Sequence, residues 1–184
     1  MTDIPCHFSK CNIHRRGGRR AGFSMVEVIV SVIVVALMVS AAMRTVAVSR
    51  VAQYRLADRS RGQMLADDLM AEILQKNYKD PSGGTTFGPE SGELTRAQFN
   101  DVDDYNAWVE SPPKNPDGTS MAGFTSGGSN RSGTWKRAVD VAWVSATDPT
   151  TSLSTETGMK RITVTVTRSG MVVARRVAVR GNAP

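Results

Sequence analysis

Read from the N-terminus, the chain changes its hydrophobic pattern three times. Phe23–Met43 (FSMVEVIVSVIVVALMVSAAM) is apolar on every face, and its one charge is Glu27. At 1.5 Å per residue, these 21 residues match a hydrocarbon layer about 30 Å thick and predict a membrane-spanning helix. Over 44–79 the chain lacks proline and becomes one-sided. Leu65, Ala66, Leu69, Met70, Ile73 and Leu74 recur at three- and four-residue spacing, while Asp67, Asp68 and Glu72 lie off that stripe. This predicts an amphipathic helix continuing the span. Gly62 is a soft spot within it, costing ~1 kcal/mol relative to alanine. Asp80-Pro81-Ser82-Gly83-Gly84 then stops the helix.

From 80 to 134 the reading is mainly irregular. Ser111–Thr134 is dense in Gly, Pro, Ser, Thr, Asn and Asp, and is expected to bury no core. The pattern then turns to period two, over 135–181. Val139, Val141 and Trp143 share one side, Ile162–Thr167 alternates strictly, and Ser169-Gly170 forms a two-residue hairpin into Met171–Val179. The fold class predicted is α+β: a long N-terminal helix, membrane-spanning in its first half, packed against a small C-terminal antiparallel β-sheet. The domain boundaries read as a basic leader 1–22, a span 23–43, an amphipathic helix 44–79 and a globular head 80–184.

Charge and cysteine content sharpen this picture. The net charge is +6, but five of the 23 basic residues and one of the 17 acidic ones lie in 1–22, so the remainder carries only +2. The basicity is a flank of Lys10, Arg15, Arg16, Arg19 and Arg20, not a groove. Cys6 and Cys11 also lie there, beside His14, with spacing that fits zinc poorly. Residues 15–22 hold four arginines and 44–51 hold two, which favours a cytoplasmic N-terminus. A cleavable signal peptide, with Ser40-Ala41-Ala42 as its cleavage site, is the competing reading. The apolar run is longer than the usual 7–15 residues, and an acid sits five residues into it.

That acid asks for a partner. A carboxylate at mid-membrane costs about 2.5–3.5 kcal/mol, less near the interface, and no Lys or Arg lies one turn away from Glu27. Arg19-Arg20-Ala21-Gly22, Phe23-Ser24-Met25-Val26-Glu27 and the unbroken apolar run closely resemble the start of the type IV prepilins. Leaders in that family are often shorter than 22 residues, and Met25 stands where leucine is more usual. The resemblance implies that a membrane-embedded prepilin peptidase cuts after Gly22 and methylates the new N-terminus at Phe23. It implies that Glu27 pairs with the Phe23 amine of a neighbouring subunit. Other pilin or pseudopilin subunits, an inner-membrane assembly platform and membrane lipid are then the partners. The location implied is the inner membrane, single-pass with the head outside the cytoplasm, and then a pilus or type II secretion pseudopilus. The start resembles minor subunits of the V-type pilin and I-type pseudopilin kinds.

Catalytic chemistry is not expected. After Gly22 the chain has neither histidine nor cysteine, so it lacks the parts of a Ser-His-Asp or Cys-His site. No glycine-rich phosphate loop precedes a helix, and no cofactor is expected. A membrane-anchored or secreted hydrolase is the weakest alternative. A competence-type, DNA-binding minor pilin is a second, using Arg131, Lys136, Arg137, Lys160, Arg161, Arg175 and Arg176 beside Trp135. Against it, those charges read as a solvated strand face and hairpin rim. Asp101, Asp103 and Asp104 form a weak calcium candidate that fails the EF-hand pattern, with acids facing water as the plainer reading and no metal expected.

Overall fold

The computed structural model describes residues 22–124 and 134–182, and divides into two compact units, Met1–Ser49 and Arg50–Pro184. The leader 1–21, with Arg15, Arg16, Arg19 and Arg20, and Arg131 lie outside the described residues.

A single helix, α1, spans Met25–Gln75. Ser24 caps its start: the Ser24 hydroxyl accepts the Val26 N–H at 3.3 Å, and its carbonyl accepts the Val28 N–H at 3.2 Å. Within the second unit, Gly62, Leu65, Ala66, Leu69, Met70 and Ile73 are buried, at the three- and four-residue spacing of one helix face. The helix ends four residues before the expected 79. Its last carbonyls are claimed elsewhere: the Arg180 guanidinium donates to the carbonyls of Leu74 at 2.6 Å and Lys76 at 3.3 Å. Asn77 meanwhile pairs with the loop, accepting the Val102 N–H at 3.0 Å.

The sheet is antiparallel. Its strands are β1 (Val109–Glu110), β2 (Trp135–Val144), β3 (Ser152–Leu153), β4 (Met159–Arg168) and β5 (Met171–Gly181). Their order is β1-β2-β4-β5, with β3 beside the far end of β2. Ser169 and Gly170 both have positive φ, 49° and 81°, as a two-residue hairpin turn of the primed kind requires, and Arg168 faces Met171 across it. Period-two patterning puts Val139, Val141, Ile162, Val164 and Val166 on the covered face.

Two expectations need correction. The Ser111–Thr134 stretch is not free of the core: Met121 and Phe124 pack against it, beside Phe99, Val102 and Tyr105, which are buried upstream. A turn of 3-10 helix at Asp103–Tyr105 follows Val102 and puts Val102 and Tyr105 on one side, because residues three apart eclipse in that geometry. Phe99 and Tyr105 meet edge to face at 5.0 Å, and Phe124 and Trp135 at 5.3 Å. Gly62, in turn, is no soft spot. A Cβ there would fall 2.7 Å from Val173 Cγ2 and 3.3 Å from Ala174 Cβ, so the missing side chain lets β5 approach the helix backbone.

A fragment starting at Arg50 should unfold cooperatively in urea, and deleting 63–76 from it should abolish that transition, since the sheet would lose its cover. In the same fragment Gly62→Ala should destabilise by about 1–3 kcal/mol, despite ~1 kcal/mol of gained helix propensity. Val173→Ala should return part of that loss. Additive effects of the two changes would refute the close-approach account.

Candidate functional site

The first turn of α1 carries the residues singled out by the N-terminal motif. Among the described residues, a Cβ at Gly22 would meet nothing within 4 Å. Phe23 is 80% exposed. Glu27 lies in the first turn of the helix, where backbone N–H groups lack intrahelical acceptors and favour a carboxylate. Ser24-x-x-Glu27 has the spacing of a capping box, a signal present in the sequence and easily overlooked behind the membrane pattern. Glu27 therefore has a local stabiliser within its own chain as well as a need for a counter-charge.

Beyond it, no residue of the apolar stretch is buried, and the helix is long and apolar enough to cross a membrane. Its hydroxyls are satisfied internally. Ser31 donates to the Glu27 carbonyl at 2.7 Å, Ser40 to Ala36 at 2.8 Å and Thr45 to Ala41 at 3.0 Å. Lipid supplies no hydrogen bonds, so back-bonding to the i−4 carbonyl is what lets these residues sit in such a segment.

The acids of the head behave differently from the sequence reading. Asp101, Asp103 and Asp104 are all buried rather than facing water. Two of them accept backbone N–H groups in and just before the 3-10 turn. Asp101 accepts the Asp103 N–H at 2.8 Å, and Asp104 accepts the N–H groups of Asn100 and Asp101 at 2.7 and 3.0 Å. Asp103 instead pairs with Lys160, which is 2% exposed and lies 4.5 Å from the Tyr78 ring centroid. The three acids thus do not converge on one ion. Burial, then Asp103 and Asp104, push the Asp101 carboxyl up to about 8.

A second buried network joins helix, loop and sheet. Glu72 of α1 accepts from Arg96 and, at 2.7 Å, from the Tyr105 hydroxyl. Arg96 and Arg137 both donate to the Lys114 carbonyl, at 2.7 and 2.6 Å. Glu110 lies between them, paired with Arg137 and 3.8 Å from Arg96. Burial alone would raise the Glu72 carboxyl, but the bonds from Arg96 and Tyr105 outweigh it and hold the group below the usual range.

The basic residues considered for nucleic acid are largely engaged. Arg137 and Lys160 are buried, Arg176 pairs with Asp67, and Arg161 donates to the carbonyls of Pro149 and Thr150. Lys136 and Arg175 stay exposed. The solvated-face reading therefore fails at Arg137 and Lys160, whose charges cross-link the head. No family model, no curated protein and no solved structure matches the chain.

The depressed carboxyl of Glu72 makes its contribution to stability present above its unfolded value of about 4.5 and lost as pH falls through the lower folded value. Urea midpoints measured between neutral pH and pH ~3 should therefore fall less for Glu72→Gln than for the unaltered chain. Equal falls would mean that Arg96 and Tyr105 do not favour the charged form.

Proposed function

We propose that the chain is a minor pilin or pseudopilin: a structural subunit cut by prepilin peptidase and polymerised into a type IV pilus or type II secretion pseudopilus. One observation carries this reading. Gly22 and the exposed Phe23 stand directly before a helix with Glu27 in its first turn and an unburied apolar stretch behind it. The long helix followed by a small antiparallel sheet agrees with a pilin-like fold.

The chemistry follows from charge. Cleavage after Gly22 turns an amide nitrogen into an ammonium at Phe23, and methylation leaves that charge in place. Four residues along, Glu27 carries the opposite charge into the same low-dielectric layer. The local helix field offsets part of its cost, but not its unit charge. A second subunit set side by side in the membrane supplies the Phe23 ammonium to Glu27. Neutralisation is thereby coupled to assembly, because separating such a pair leaves an unpaired ion. The exposed Val, Ile and Met side chains of 25–48 then pack against equivalent helices rather than lipid. Without histidine or cysteine after Gly22, the mature subunit works by polymerising rather than by catalysis.

Mass spectrometry of the membrane-extracted protein should find a mature chain beginning at N-methyl-Phe23. An N-terminus at Met43 would establish a secretory signal instead. A bulky residue in place of Gly22 should leave full-length precursor in the membrane. Glu27→Val should still insert and be cleaved, but should fail to crosslink with other pilin-like subunits, at a penalty of several kcal/mol. Normal incorporation of that variant would sink the ion-pair mechanism.

A further inference from the structure

Three carboxylates in the loop ahead of β1 have no counter-charge. Glu90, Glu93 and Asp104 bring one oxygen each within 4.8 Å of one another. No ion pair among the described residues reaches any of them. Asp104 is 1% exposed. The backbone N–H groups of Asn100 and Asp101 fix its Oδ2, and its Oδ1 is left buried without a donor. Both oxygens of Glu90 are also buried and unpartnered, and so is the Oδ1 of Asn100, whose amide nitrogen donates to Glu93. Backbone closes in on the cluster as well: a Cβ on Gly84 would fall 2.7 Å from Glu90 Oε1.

Buried oxygens without donors are costly, and three like charges held together compound the cost. We propose that Glu90, Glu93 and Asp104, with the amide oxygen of Asn100, bind one divalent cation of the calcium class. The donor set is all oxygen, which suits a hard cation and offers neither the nitrogen nor the sulfur of a typical structural zinc site. Glu90 has both oxygens free for bidentate contact, and water completes the six to eight ligands that calcium takes. Asp101 and Asp103 are not ligands, being committed to the 3-10 turn and to Lys160. The ion would tie 90–93 to 100–104, the two ends of the segment that delivers Arg96 and Phe99 to the head. Protons are the competing neutraliser, since burial, then the neighbouring acids Glu93 and Asp104, push Glu90 up to about 7.

Calcium chloride titrated into the chelator-treated full chain, in detergent at neutral pH, should reveal one saturable site by calorimetry. Saturating calcium should raise the thermal midpoint, followed by tryptophan fluorescence, by several degrees. Glu90→Gln should weaken calcium about tenfold or more, yet melt no lower than the unaltered chain in chelator, because it relieves the repulsion. Asp148→Asn, an exposed acid elsewhere, should bind as the unaltered chain does. If the unaltered chain shows no saturable binding up to millimolar calcium and an unchanged midpoint, protons balance the cluster and the proposal is overturned. Undiminished binding by Glu90→Gln also overturns it. Should that variant not fold, Glu93→Gln decides the matter by the same two readouts.

Discussion

The approach of β5 to the backbone of α1 at Gly62 is the constraint on which the rest of the head depends. With hydrogen in place of a side chain there, Val173 and Ala174 come into contact with the helix, and Leu65, Leu69 and Ile73 reach the sheet one, two and three turns later. Each such side chain, fully buried, is worth about 1.5–3 kcal/mol. The polar rim follows from the same docking. Asp58 pairs with Arg168, Asp67 with Arg176, and Arg180 reaches the last carbonyls of the helix. These exposed or half-exposed pairs add little energy but fix the helix in register over the sheet.

Packing alone serves the helix and sheet, whereas the connection between them needs polar ties. After Gly22 the chain has no cysteine, so no disulfide can hold the 80–124 segment. Its glycines and prolines make turns, and turns leave backbone groups that must find partners. Arg96 and Arg137 meet that need at the Lys114 carbonyl, while Glu72 and Glu110 balance their charge. Lys160 does the same for the Tyr78 carbonyl and Asp103. Such buried pairs contribute little net stability relative to well-packed apolar groups, but losing one partner strands a charge, so they penalise every other arrangement of the loop.

The legible parts of the sequence were those with a period. The stripe Leu65, Leu69, Ile73 and the alternation of Ile162, Val164, Val166 each report a face covered along a whole element, and both faces are buried as the pattern requires. Ser169-Gly170 was legible because few residue pairs accept two positive φ angles. The burial of Asp101, Asp103 and Asp104 was not, because a single 3-10 turn is too short to show a period, and clustered acids look like ordinary surface residues. Nor does composition tell that Gly62 marks a contact, since a glycine that weakens a helix and one that admits a neighbouring strand are the same letter. Arg137 and Lys160 misled for a related reason: long cations are usually solvated, and only the tertiary fold brings Glu110 and Asp103 to them.

Charge is balanced locally through most of the buried head. In the head, carboxylates at Asp58, Asp67, Glu72, Asp103 and Glu110 each meet an arginine or lysine. Not every carboxylate does: Asp101 accepts backbone N–H groups of the 3-10 turn, and two further places also lack a cation. One is Glu27, in an apolar segment where no basic side chain lies one turn away; the other is the trio Glu90, Glu93 and Asp104. A charge in a weakly polar setting that its own chain does not neutralise must be neutralised from outside or by a proton. The settings select different agents. Glu27 is a single carboxylate on a helix side, which, on the proposed reading as a pilin-like subunit, one ammonium from a neighbouring subunit matches. The trio is multivalent, oxygen-only and short of donors, a description that an ammonium fits poorly and a small divalent cation fits well.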